Sequence, residues 1–268
     1  MSVAREIREE QKQALSTMST KKKLAYFWDY YKIHVLVAAV IIAVIISFVR
    51  QYLNSKDTAF YAVLLNVGAT DPNYELATSL AEEFQGYAEI DPDQYEVVID
   101  TSISFFDGVD AQYAVANQQK LIAMMQIGDV SALAADTENF EKYAQFGYFY
   151  DMKSLLSEEE LAKYDSYLYY TDAASFENED STSSPDGNEQ KDPAELTINH
   201  RDPSTMEQPV AVGIILTEDN KLAEVGYYAY LTDRAVTYQG CPSEAVLGIP
   251  VTNTEPEMVF RFLEYIFE

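Results

Sequence analysis

Seventeen consecutive residues, Ile33 to Val49 (IHVLVAAVIIAVIISFV), contain only two polar side chains, His34 and Ser47. No polar face interrupts the run, so it predicts a helix that is apolar on every side rather than an amphipathic one. At about 1.5 Å per residue it spans roughly 26 Å, a little less than a hydrocarbon core of about 30 Å. Lys32 and Arg50 bound it and can snorkel, while Tyr26, Phe27, Trp28, Tyr30 and Tyr31 form an aromatic belt on the entry side. The expectation is a single membrane-spanning anchor over residues 28–52, contacting the bilayer through Ile33–Val49. An N-terminal segment, residues 1–27, precedes it, in which AREIREEQKQAL reads as a short charged helix. A cleaved signal peptide is the rival reading. Against it, more than thirty residues precede the run, and neither a small-x-small site nor a cysteine follows promptly.

Beyond Asp57 the pattern becomes globular. AFYAVLLNVG (Ala59–Gly68) is a short apolar run ending in turn residues and predicts a buried strand. Asp71-Pro72 opens a helix with Leu76, Leu80, Ala81 and Phe84 on one face, and YEVVID (Tyr95–Asp100) predicts a second strand. After Asp107-Gly108, Asp110–Gln126 predicts a helix that buries Val115, Leu121, Ile122 and Met125 and stops at Gly128. VSALAAD (Val130–Asp136) is a third strand, and Thr137 caps a helix reaching Ala144. Ser157–Tyr164 has capping-box spacing. Strands alternating with helices in this way predict parallel βαβ units.

From Thr171 to Gln208 the apolar period fades, and ENEDSTSSPDGNEQKD reads as an acidic loop. Order returns with a fourth strand, PVAVGIIL (Pro209–Leu216), then a helix near Asn220–Val225 and a fifth strand, AVLGIPVTN (Ala245–Asn253). Glu255-Pro256 opens a final helix that turns Met258, Phe262, Tyr265 and Ile266 inward. The domain organisation is therefore a first part of one lobe (57–170), the acidic loop (171–208), and the return of the same lobe (209–268).

Charge sets the expected orientation. The chain has 18 basic and 44 acidic residues; nine bases and four acids precede Asp57, leaving nine against forty beyond it, a net of −31. The bases crowd the N-terminal flank, which places that end in the cytoplasm and the lobe outside it, on a cell membrane. So acidic a lobe repels phosphate backbones, which excludes nucleic acid as a partner. The one cysteine, Cys241, allows no internal disulfide and no thiolate-built zinc site, and an exported domain without disulfides fits a bacterium.

The stretch QQKLIAMMQIGDVSALAADTENFEKYAQFGYFYDM (Gln118–Met152) resembles bacterial extracellular solute-binding proteins: a helix, Gly-Asp before a strand, an acidic residue at the strand's end, then an aromatic helix. The C-terminal VLGIPVTNTEPEMVFRFLEYIF is similar to their return strand and last helix. The resemblance implies an α/β fold: an N-terminal transmembrane helix followed by one periplasmic-binding-protein-like lobe with a mainly parallel sheet. There are departures: the acidic stretch stands after Tyr170 where a second lobe would be inserted, and a transmembrane helix replaces a lipid anchor. A one-lobed version lacks the clamp that captures a solute.

Ligands of parallel sheets lie at the carboxyl ends of the strands. Those ends carry Asn66, Gly68 and Thr70, then Asp100, Thr101 and Ser102, then Asp136, Thr137 and Glu138. Asn66, Thr70, Asp100, Ser102, Asp136 and Thr137 are the candidate ligand-binding residues for a small polar ligand; the plainer alternative is that they cap helices and end strands. Beyond Asp57 the lone histidine, His200, sits in the acidic stretch with no nucleophile-elbow pattern, so an enzyme is not expected. Asp180, Asp186 and Asp192 do not follow a calcium-loop spacing, no glycine-rich phosphate loop occurs, and neither metal nor cofactor is expected. The tyrosine-rich Tyr143–Tyr170 is the candidate surface for an envelope protein partner. The leading expectation is a ligand-responsive or scaffolding partner of an envelope or transport complex. A purely structural interaction protein is the alternative, and a carboxylate-dependent hydrolase a third.

Overall fold

The computed structural model describes residues 19–53, 56–105, 110–175, 198–216 and 219–268, which fall into two compact units. The charged N-terminal helix, Asp107-Gly108, the core of the acidic stretch and its aspartates Asp180, Asp186 and Asp192 lie outside the described residues.

The first unit is one helix, α1 (Thr20–Leu53). Its segment Tyr31–Arg50 has a mean hydropathy of 2.6, and none of it is buried, so by length and composition it can cross a membrane or serve as a signal sequence. Of the expected aromatic belt, Trp28 and Tyr31 have described side chains, and both are exposed.

The second unit, residues 56–268, is a three-layer α/β sandwich. Its strands are β1 (Asp57–Leu64), β2 (Tyr95–Asp100), β3 (Ala132–Asp136), β4 (Leu168–Asp172), β5 (Pro209–Leu216), the short pair β6 (Thr237–Tyr238) and β7 (Cys241–Pro242), and β8 (Ala245–Gly248). Its helices are α2 (Glu75–Tyr87), α3 (Ala111–Ile127), α4 (Thr137–Ala144), α5 (Met152–Leu155), α6 (Glu158–Tyr164), α7 (Lys221–Glu224), α8 (Ala229–Asp233) and α9 (Pro256–Phe267).

Six strands form one sheet in the order β2-β1-β3-β8-β5-β4. The joints β1–β2 and β1–β3 are parallel, as the alternation of strand and helix predicts, and the other three joints are antiparallel. Following the joints across the sheet, β1, β2, β3 and β5 run one way and β8 and β4 the other, so the sheet is mainly parallel in strand direction.

Alternation along β1 divides the core. Phe60, Ala62 and Leu64 face α2 and α9, while Val63 and Leu65 face α3 and α4, all fully buried. On the first face the C-terminal helix closes the layer, with the Phe262 ring 5.0 Å from Phe60 and 5.1 Å from Phe84. Met258 is partly buried at the edge of this core, while Phe262, Tyr265 and Ile266 are buried as expected. On the other face Phe140 stacks on Phe149 at 4.4 Å, and glycine alone leaves room for the pair. A Cβ on Gly248 would come within 2.8 Å of both rings.

Several expectations need correction. β1 stops at Leu64, because Asn66 turns the chain in a left-handed conformation (φ 66°). Val115 is 48% exposed rather than buried. Asp136, not Thr137, caps α4, its side chain accepting from Asn139 N. The acidic stretch is narrower than composition suggests: β4 runs on to Asp172, Thr171 is fully buried, and His200 is buried against Tyr169 with rings 4.6 Å apart. Four of the seven tyrosines of Tyr143–Tyr170 are buried, while Tyr148, Tyr150 and Tyr167 are half-buried. Tyr143, Tyr164, Tyr169 and Tyr170 are core residues, and Tyr169 is only 1% exposed.

Candidate functional site

The strand order reverses at β1, which has β2 on one side and β3 on the other, and the crevice beyond the carboxyl ends of β1 and β3 is where an open α/β sheet takes a ligand. Asn66 and Asp136 meet there. Asn66 Nδ2 donates to Asp136 Oδ2 (3.0 Å), and its Oδ1 accepts from Phe105 N (2.7 Å). Asp136 also accepts from Asn139 N (3.1 Å), from Asn139 Nδ2 (2.8 Å) and from the Tyr230 hydroxyl (3.2 Å). At 6% exposure the carboxylate has donors on both oxygens, as a buried charge requires.

The crevice is closed by the segment carrying α7 and α8. Asn220 caps α7 by accepting from Leu222 N and Ala223 N (2.9 and 3.1 Å). The chain then turns at Gly226 and Tyr228, both with positive φ (84° and 63°). A bulky residue rarely adopts that conformation. Here it drives the Tyr228 hydroxyl onto Ala134 O (2.8 Å), while Tyr227 donates to Asp71 Oδ2 (3.0 Å). Burial pushes the Tyr228 and Tyr230 hydroxyls well above the usual tyrosine range, and the nearby Asp136 carboxylate adds to it in both. Burial opposes ionisation of Asp71, but the N–H groups of Ala77, Leu76 and Glu75 and the Tyr227 hydroxyl outweigh it and hold the carboxyl below its usual value.

The remaining candidates do not converge on this point. Thr137 Oγ1 exchanges hydrogen bonds with the Glu244 backbone, donating to O (3.0 Å) and accepting from N (2.8 Å). Asp100 and Ser102 form a separate group with Tyr61, whose hydroxyl donates to Asp100 Oδ2 (2.7 Å), and with Lys120 at 3.5 Å. Burial raises the Asp100 carboxyl, yet Ser102, Tyr61 and Lys120 together hold it below the ordinary range. Thr70 is exposed beside Gly226.

A cavity of about 840 Å³ lies past the ends of β5 and β8, between α7, α8 and the β6–β7 hairpin. Leu216, Leu222, Leu231 and Val236 give it apolar walls; Asn220, Thr232, Asp233, Ser243 and Glu244 add polar groups. None of the candidate ligand-binding residues named from the sequence lines this cavity. The Tyr227-Tyr228 pair was the signal available, since neighbouring large rings in a short irregular segment must each find a place to bury.

Glu141 is the other buried acid of note. It accepts from the Tyr169 hydroxyl (2.9 Å) and the Thr171 hydroxyl (2.5 Å), with His200 Nδ1 3.9 Å away. Its partners hold the β4 edge in place. Among the described residues no group of three or more His, Cys, Asp or Glu side chains is placed to hold a metal ion.

No family model, no curated protein and no solved structure matches this chain.

Proposed function

We propose that this chain is a membrane-anchored interaction domain of a bacterial cell envelope, its acidic α/β lobe outside the cytoplasm, scaffolding an envelope or transport complex. The observation that carries the reading is the state of the switch-point crevice. Asp136, Asn66 and Asn139 satisfy one another there, and Tyr228 and Tyr230 fill the space a solute would take. A small polar ligand would have to displace those internal hydrogen bonds, and each buried group left unpaired costs about 1–3 kcal/mol. The likeness to one lobe of a solute-binding protein enters as architecture: parallel first strands, helices on both faces, and a C-terminal helix returning to the first strand. The apolar Tyr31–Arg50 and the basic N-terminal flank favour an anchor with the lobe exported.

The test is a melting series on the full chain in detergent, with sugars, amino acids and short peptides. A solute at about a hundred times its Kd adds about 2.7 kcal/mol, several degrees in Tm for a lobe of this size. We expect no such shift from sugars or free amino acids, and we expect the chain in solubilised native membranes to migrate in an assembly larger than itself. A solute that raises Tm with the chain monomeric would replace this reading with solute capture.

A further inference from the structure

A six-stranded open sheet has two edges, and among the described residues one of them is covered. At β4, Tyr170 N donates to His200 O and His200 Nδ1 lies against Tyr170 O (both 2.8 Å), so that edge is covered. β2 ends the sheet on the other side with no further strand among the described residues. An uncovered edge offers its outward N–H and C=O groups to any extended chain, and native edges are commonly blunted with lysine or proline. YEVVID contains neither, and at its start the outward carbonyl Tyr95 O accepts from Gln85 Nε2 (3.0 Å).

The two faces of this edge differ. Val97 and Ile99 pack toward α2, where a groove of about 340 Å³ runs between the strand and the small side chains Ala77 and Ala81. Tyr74, 49% exposed, lines it, as does Thr101, whose buried hydroxyl has no partner among the described residues. By alternation Glu96, Val98 and Asp100 face the other way. Asp100 is engaged by Tyr61 and Lys120, whereas Glu96 is exposed and accepts from Thr58 Oγ1 alone among the described residues (3.3 Å). Charge around the edge is mainly negative, with Lys120 the base that reaches it, at Asp100. From Asp57 to Gln119, which includes β1, α2 and β2, the sequence holds twelve acidic residues and no Lys, Arg or His.

We infer that the outer edge of β2 is a strand-addition site for an extended cationic segment of a partner protein. Alternate apolar side chains of that segment enter the α2 groove, and its basic side chains stand on the face of Glu96. Backbone pairing supplies affinity and the alternate pockets supply specificity. A second copy of this chain is a poor occupant, because two such edges would bring like charges together. The inference deepens the interaction-domain reading and rests on it.

The probes are two labelled peptides of equal composition and charge, acetyl-Val-Lys-Val-Lys-Val-Lys and acetyl-Val-Val-Val-Lys-Lys-Lys, titrated by anisotropy into the full chain in detergent. We expect the alternating peptide to bind about tenfold tighter than the blocked one, since pattern rather than charge alone selects it, and to weaken in about 0.5 M salt. Glu96→Lys, at an exposed position, should lower affinity about tenfold with Tm unchanged. Val97→Pro, which removes an outward N–H, should abolish binding, and hydrogen exchange at the Val98 amide, which faces β1, should report whether that variant is still folded. Equal binding of the two peptides, no binding of either, or full affinity in a folded Glu96→Lys chain would each overturn the edge site. If the chain still migrates in a larger assembly after such a result, the interaction reading survives and only its surface is wrong.

Discussion

The ring of Phe262, in the last helix, lies 5.0 Å from the ring of Phe60, in the first strand of the lobe, and both are fully buried. Phe84 from α2 completes the cluster at 5.0 Å from Phe60 and 5.1 Å from Phe262. The lobe's two chain ends thus share one core, so neither can unfold without exposing the other. Truncating a buried Phe to Ala typically costs about 3–5 kcal/mol, a large part of a stability of about 5–15 kcal/mol. We expect Phe262→Ala to lower denaturant stability by that amount in a single transition, followed by circular dichroism. Two separate transitions would show that residues before and after the acidic stretch fold independently.

The opposite face is sensitive to added rather than lost volume. Gly248 sits against the stacked Phe140–Phe149 pair, and a Cβ there would lie 2.8 Å from ring atoms of both. The rings are fixed between β8, β5 and α4, so they cannot swing away as a surface side chain would. Overpacking of this kind costs about 1–3 kcal/mol. We expect Gly248→Ala to lower the midpoint of urea unfolding accordingly, and an unchanged midpoint would mean that this core is looser than its contacts imply.

Much of the architecture was legible because its signals are local. PVAVGIIL and YEVVID are short apolar runs between turn residues, and both are strands over the ranges expected. β4 escaped notice because LYYTD is tyrosine-rich and borders the acidic stretch, so it reads as surface. Tyr169 and Thr171 are buried beside Glu141, on a helix about thirty residues earlier, which accepts from both, while Tyr170 packs into the opposite face. The site was legible in half. Strand ends pointed to Asn66 and Asp136, but these are 70 residues apart, and nothing local says that they bond to each other instead of to a ligand. The tyrosines that close the crevice sit between and within helices of four and five residues, too short to show a period.

Acid should loosen the lobe through its hydrogen-bonded carboxylates. Burial raises the Asp172 carboxyl, but the N–H groups of Glu207, Gln208 and Ala174 outweigh it and hold it below the usual range, as their counterparts do for Asp71. A carboxyl lowered in the folded state stabilises fully above its unfolded pKa of about 3.9 and loses that contribution as pH falls through the folded value. We expect Tm to fall below about pH 4, and less steeply in Asp71→Asn, whose side chain has no acid form to gain. Equal slopes for the two chains would mean that Asp71 contributes nothing to the acid limb.

Alkali should act through the tyrosines, in the opposite sense. Burial pushes Tyr238 up to about 12 and raises Tyr169, Tyr227, Tyr228 and Tyr265 further, with Glu141, Asp71, Asp136 and Glu83 adding negative charge nearby. A group raised in the folded state contributes stability below its unfolded pKa, about 10 for tyrosine, and that stability is lost as pH climbs toward the folded value. Several such groups together predict a steep cooperative loss above about pH 10. Tyrosinate absorbance at 295 nm, recorded alongside circular dichroism, should show the exposed rings titrating first and the buried set ionising only as the lobe unfolds. A smooth titration of all the rings with structure intact would mean that solvent reaches the crevice tyrosines.

Asp136→Ala separates a structural carboxylate from a ligand-binding one. The substitution removes the cap of α4 and strips partners from Asn66, Asn139 and Tyr230 in a buried setting. Loss of a helix cap costs about 0.5–2 kcal/mol and each buried group left unsatisfied about 1–3 kcal/mol. Relaxation and water entry offset part of this, so a net loss of about 2–5 kcal/mol is expected from chemical denaturation. A residue kept for a solute behaves otherwise: burying an anion for binding costs stability, so its removal leaves the empty protein unchanged or firmer. A stable Asp136→Ala chain would therefore reopen the crevice as a solute site, and a marked loss of stability would fix Asp136 as the joint between β1, β3 and the segment that covers them.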